Sequence, residues 1–209
     1  MKQSIFTIVS NAALTDSVYK MVLQGDTSAI TAPGQFVNIK LEGMFLRRPI
    51  SVCDVEGDKL TIIYKAVGKG TKQMTAMQAG QQLDVLCGLG NGFDTSKAQG
   101  KKAAVIGGGL GVAIAYPQAK ALHEAGCEVD LIVGFRNEDL IILKDELTAA
   151  CEAIKAYDAN IYPWGVDMTT DEGQACFAYY IWNNGGDFTD AEGNWTLNSP
   201  ENVEAIEYI

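Results

Sequence analysis

Two short runs of this 209-residue chain combine residue types suited to handling anions. The first is Arg47-Arg48-Pro49-Ile50-Ser51. A proline disfavours the helical region for the residue before it, so Arg48 should be held extended at the start of a strand. Ser51 is expected on the same face, so that guanidinium and hydroxyl serve one ligand. Planar guanidinium donors suit a phosphate, although spacing alone also fits an ordinary solvated basic edge. The second run is Gly107-Gly108-Gly109-Leu110-Gly111, which follows the apolar Ala103-Ala104-Val105-Ile106 and opens a helical stretch. A glycine turn between strand and helix presents backbone amides and a helix N-terminus to a dinucleotide phosphate.

The elements that must position these runs are of two kinds. From residue 4 to residue 86 the pattern is short, β-rich and alternating. Strands are expected at Ser4–Val9, Val18–Leu23, Gln35–Lys40, Ile50–Val55, Lys59–Lys65 and Gln82–Leu86. Breaks at Gln24-Gly25-Asp26, Ala32-Pro33-Gly34 and Glu56-Gly57-Asp58 separate them, and six such strands predict a small antiparallel barrel. Near Gly100 the character changes. The apolar strand, the glycine turn, a helix to about Ala125 and a second apolar run from Val129 to Phe135 make one βαβ unit. Beyond it, helices are expected over residues 145–156, over Thr170–Trp182, and from Ser199-Pro200 to the last residue.

Charge divides the chain in a similar way. All 16 Lys and Arg lie at or before Lys155, and residues 156–209 carry only acids together with all three tryptophans. The net charge of −10 argues against nucleic acid as a partner. No stretch reads as a signal peptide or a membrane span, so the chain is expected in the cytoplasm. The five cysteines, Cys53, Cys87, Cys127, Cys151 and Cys176, are widely spaced and include no Cys-x-x-Cys pair, which supports neither a disulfide framework nor a zinc site.

Several motifs stand together in register: Pro33-Gly34-Gln35-Phe36, Arg48-Pro49-Ile50-Ser51, Ile63-Tyr64-Lys65, Gly68-Lys69-Gly70-Thr71, Leu89-Gly90-Asn91-Gly92-Phe93 and Gly107 to Gly111. Over about residues 1–145 the chain thereby resembles ferredoxin-reductase-like proteins, and in detail the electron-transfer subunits of class B, NAD-linked dihydroorotate dehydrogenase. The resemblance implies FAD on Arg48, Pro49, Ile50 and Ser51, with Ile63, Tyr64 and Lys65 lining the flavin and Gly70 and Thr71 at its phosphates. Gly70 would let the backbone approach an anion, and the Thr71 amide and hydroxyl could donate to it. The resemblance also implies NAD at Gly107, Gly108, Gly109, Leu110 and Gly111, with Gly134, Phe135 and Arg136 nearby. Ile114 stands where the family pattern leads one to expect a proline. No acid or base is implied, because a flavin carries the chemistry itself. The implied partner is the catalytic dihydroorotate dehydrogenase subunit of pyrimidine biosynthesis. Its two-iron, two-sulfur relay needs four thiolates, usually closely spaced, and these cysteines do not supply that spacing.

Residues 147–209 instead resemble part of an ABC-transporter sugar-binding protein, through Ala150-Cys151-Glu152, Trp182-Asn183-Asn184-Gly185-Gly186-Asp187 and Asn198-Ser199-Pro200-Glu201. That resemblance makes Trp164, Trp182, Trp195 and Asp187 candidates for stacking on or bonding a sugar, but core packing is the expected role of each and no working sugar site is expected, because the matched segment is only part of such a protein's two lobes. The expected architecture is α+β and multi-domain. Residues 1–98 form the FAD-binding barrel, 99–146 a truncated NAD-binding α/β segment, and 147–209 a helical extension of separate origin. The expected function is electron transfer between NADH, FAD and a partner dehydrogenase. The alternative is a non-enzymatic fusion or fragment with a carbohydrate-binding-like C-terminus and no turnover.

Overall fold

The structure, a computed structural model, describes residues 1–147. Six antiparallel strands close into a barrel: β1 (Lys2–Ala13), β2 (Val18–Gln24), β3 (Phe36–Lys40), β4 (Arg48–Glu56), β5 (Lys59–Lys65) and β6 (Gln82–Leu89). Around the barrel they run β1-β2-β5-β4-β3-β6, with β6 returning to β1. Alternation turns Met21 and Leu23 of β2 and Leu60, Ile62 and Tyr64 of β5 inward against Phe6, Val37, Ile39 and Val85. Each large apolar side chain buried in this way contributes roughly 1.5–3 kcal/mol.

The six expected strands are all present, β5 with the expected bounds and the other five with shifted ends. β1 runs past the expected Ser4–Val9, because a register shift between Ile8 and Ser10 bends it and lets pairing with β2 continue to Ala13 opposite Tyr19. β4 begins at Arg48 rather than Ile50, since Arg48 pairs with Ile39 and Pro49 with Asn38. A helix that the glycines at 68 and 70 had concealed, α1 (Lys69–Thr75), lies between β5 and β6 and buries Met74 in the barrel core. Its C-terminal end is tied down by Asn11, whose Nδ2 donates to the carbonyls of Met74 (2.9 Å) and Met77 (3.1 Å).

The βαβ unit forms as expected from β7 (Lys102–Gly108), α2 (Val112–Glu124) and β8 (Glu128–Gly134), the two strands pairing in parallel from Lys102 opposite Glu128 to Gly108 opposite Gly134. Pro117 sits buried inside α2; its ring removes one helical hydrogen bond without ending the helix. The unit rests on the barrel through an apolar cluster joining Val18, Cys53 and Ile63 to Val112, Ala113, Ile142 and Leu143. Two cations stitch the same interface. Lys120 of α2 donates to both carboxylate oxygens of Asp54 (3.0 and 3.1 Å), and Lys20 donates to Glu146. Partial burial works against the Lys120 ammonium, but the hydrogen bonds and charge of Asp54 outweigh it, so its pKa is raised.

The helix expected over residues 145–156 enters the described residues only at its start, where the Leu147 N–H donates to the Leu143 carbonyl (2.9 Å). The two later helices, Cys151, Cys176, Trp164, Trp182, Trp195 and Asp187 lie outside the described residues. Among the described residues no helix is long and apolar enough to cross a membrane.

Candidate functional site

The two arginines that open β4 have different surroundings. Arg47 turns to the barrel wall, where Nη1 donates to the carbonyls of Asn38 and Asp84 (3.2 and 3.1 Å). Its Nη2 grips both oxygens of the Asp84 carboxylate at 3.0 Å. Arg48 has no carboxylate partner among the described residues. Its guanidinium meets only the carbonyls of Leu46 (2.7 Å) and Arg47 (3.4 Å) and the Met44 sulfur (3.4 Å). A guanidinium with five donors and no charged acceptor among the described residues is left with capacity for an anion.

Gly70 is what brings this guanidinium onto α1. A Cβ at residue 70 would stand 2.1 Å from Arg48 Nε, so any side chain there would drive the arginine away. The structure brings Arg48 to Gly70 but does not put Ser51 on the face of Arg48, where it was expected. Arg48 and Ser51 are three residues apart on a strand with unbroken register. Ile50 and Val52 pack on the barrel core, so Ser51 between them faces the other way from Arg48. Thr71 spends its hydroxyl locally: Oγ1 accepts from the N–H groups of Val67 and Gly68 (both 3.1 Å) and donates to the Gly68 carbonyl (3.2 Å). What it retains for a ligand is its amide.

Ile63, Tyr64 and Lys65 diverge as consecutive strand residues must. Ile63 enters the apolar cluster between barrel and βαβ unit. Tyr64 is 1 % exposed, stacks on Tyr19 with ring centroids 5.7 Å apart, and donates its hydroxyl to Asn11 Oδ1 at 3.0 Å. Burial pushes its pKa up to about 12. Lys65 alone of the three is exposed, and it lines a cleft.

That cleft, about 360 Å³, opens where the barrel meets the C-terminal ends of β7 and β8. Its barrel wall is Ser17, Val18 and Lys65; the opposite wall is Gly108, Gly109 and Leu110 of the glycine turn with Phe135 and Arg136 beyond β8. Open α/β sheets bind ligands at the carboxyl ends of their strands, which is where this cleft lies. Gly107 takes a different part, buried beneath α2, while Gly111 leads into that helix. Ser17, Leu140 and Ile142 also line the cleft. They belong to connecting segments with no pattern that sequence could register.

The three described cysteines are buried free thiols in separate places: Cys87 in the barrel core, Cys53 in the interface cluster, and Cys127 with Sγ 3.0 Å from the Ala98 carbonyl. Burial pushes the Cys53 thiol up to about 12 and Cys87 up to about 11. Buried thiols so far apart do not fit an iron–sulfur cluster.

No family model matches the chain. It is 38 % identical over 161 residues to the electron transfer subunit of dihydroorotate dehydrogenase B (NAD(+)) from Streptococcus mutans, and 39 % identical over 163 residues to that of Enterococcus faecalis. Each match covers 75 % of this chain and 62 % of the relative, so the chain spans less than two thirds of the length of these proteins. Among solved structures, an NADH-dependent reduced ferredoxin-NADP oxidoreductase matches with 31 % identity and a TM-score of 0.62, over 67 % of this chain and 52 % of that one. A flavohemoglobin from Malassezia yamatoensis with bound FAD and heme, 19 % identical with a TM-score of 0.57 over 73 % of this chain and 43 % of its own, shares the fold. The chain carries the ferredoxin-reductase-like fold, a closed barrel with an α/β unit against it, and is homologous to the electron transfer subunits of NAD-linked dihydroorotate dehydrogenase B.

Proposed function

We propose that this chain is an electron-transfer module that binds FAD on its barrel, takes reducing equivalents from NADH at the cleft, and hands electrons to a catalytic dihydroorotate dehydrogenase subunit. The observation that carries the reading is Arg48, a guanidinium without a carboxylate among the described residues, resting on the bare backbone of Gly70. Arg48 would hold the FAD pyrophosphate, with the backbone of Gly70 and Thr71 beside it and Pro49 and Ser51, on the face of β4 opposite the core-packed Ile50, along the flavin. A bound flavin supplies the exchange between hydride and single-electron chemistry. Lys65 and Arg136 attract the dinucleotide from opposite walls, Gly108, Gly109 and Leu110 of the glycine turn receive its phosphates while Gly107 seats the turn under α2 and Gly111 leads into that helix, and the apolar Val18, Leu110 and Phe135 keep water out. The reduced, buried thiols accord with a cytosolic setting.

The protein is expected to purify yellow, with flavin absorbance; a colourless chain that takes up no added FAD would overturn the proposal. Reduction of that flavin by NADH under anaerobic mixing is expected to be slow, because the described residues supply one βαβ unit and so a single wall for orienting the nicotinamide. Bleaching within seconds would show that one unit suffices. The division at residues 98 and 146 is part of the same proposal, with residues 147–209 as a separate extension. Limited proteolysis should then cut at residues 150–165 and leave an N-terminal piece that keeps its flavin. An extension as resistant as the barrel would mean one integrated unit.

A further inference from the structure

The loop between β3 and β4 turns two large apolar side chains to solvent. Phe45 is fully exposed and Leu46 is 66 % exposed, directly before Arg47 and Arg48. An aromatic ring buries 150–250 Å² when it packs, so a bare one gives up a large apolar contact. The loop holding it is nevertheless anchored at three points. The Met44 N–H donates to the Leu41 carbonyl (3.2 Å), Gln73 Nε2 of α1 donates to the Glu42 carbonyl (3.1 Å), and Arg48 Nη1 donates to the Leu46 carbonyl (2.7 Å). The backbone on both sides of Phe45 is therefore tied down, and Arg48, three residues on, reaches back to Leu46 and to the sulfur of Met44 (3.4 Å), the residues that flank the ring.

We infer that Phe45 is the stacking platform for the adenine of FAD. The inference rests on the proposal that Arg48 takes the pyrophosphate. In a dinucleotide the adenosine begins at that pyrophosphate, so a base leaving Arg48 reaches the neighbouring residues of the same loop. Adenine is flat and uncharged, and an exposed aromatic face stacks on any such base. Charge for the phosphate and an apolar face for the base stand three residues apart in one loop, and the arginine contacts both neighbours of Phe45, the Met44 sulfur and the Leu46 carbonyl.

The test uses the full chain freed of flavin, titrated with FAD and with FMN, which lacks the adenosine. Phe45→Ala should weaken FAD about tenfold and leave FMN unchanged, and Phe45→Trp should restore FAD affinity. An unchanged FAD affinity in Phe45→Ala would overturn the inference while leaving the flavin reading intact. Equal losses for FAD and FMN would overturn it too, because Phe45 would then be shaping the loop instead of holding the base. A variant that keeps FAD but loses only its hold on a partner protein would assign the ring to that partner. A parent chain that binds neither flavin fails the functional proposal first, and the inference falls with it.

Discussion

Arg48→Ala is expected to weaken FAD binding by one to two decades in Kd, measured by titrating the flavin-free chain. Removing a charge-assisted hydrogen-bonding partner costs roughly 1.5–3 kcal/mol. Arg48 forms no ion pair within the described residues that would share the loss, so the cost should appear in ligand affinity and not in the melting temperature. Arg47 provides the contrast. Its bidentate pair with Asp84 and two carbonyl bonds make it part of the barrel wall, so Arg47→Ala should lower stability first. Flavin held as tightly by Arg48→Ala as by the parent would end the assignment of this residue.

Gly107→Val should open the βαβ unit. A Cβ at this position would lie 2.6 Å from Ala115 Cβ and 3.2 Å from Val112 Cα, and the backbone of a helix cannot step aside as a long side chain can. Overpacking of this kind costs about 1–3 kcal/mol, and valine adds two further carbons. Hydrogen exchange should report the loss locally: amides of α2, β7 and β8 exchange faster, while those of the barrel keep their protection. Binding of NAD at the cleft should fall with them. Unchanged exchange in α2 would mean that strand and helix are not packed as closely as described here.

The parts legible in the sequence were those with a period. Six alternating runs announced the barrel, and an apolar run, a glycine turn and a helical stretch announced the βαβ unit, because side-chain direction repeats every two residues in strands and every 3.6 in helices. What escaped lacked a period or broke one. The shift between Ile8 and Ser10 carries β1 into Asn11 and Ala12, residues with no apolar alternation. Two glycines disguised α1 as a loop, although Met74 marks its buried face. Arg48 and Ser51 were assigned one face at a spacing of three, which in a strand means opposite faces. The separate fates of Arg47 and Arg48 depend on Asp84, thirty-seven residues away, which no local pattern could connect to either. Tyr64 lay within a motif the resemblance assigns to the flavin, yet it closes the end of the barrel core on Tyr19 and Asn11.

The closure of β1 on β6 also sets an order on synthesis. Lys2 pairs with Cys87, so the first strand made waits for the last one of the barrel. β2 emerges early and can cover one side of β1, but the other side stays open until residue 89 has left the ribosome. At about 5–20 residues per second that interval lasts several seconds. A nascent strand with an unpaired edge is a template for other chains. The exposed Lys2 and Gln3, which in the finished protein reach Asp26 and Asp84, stand on that edge and would discourage such pairing until β6 arrives.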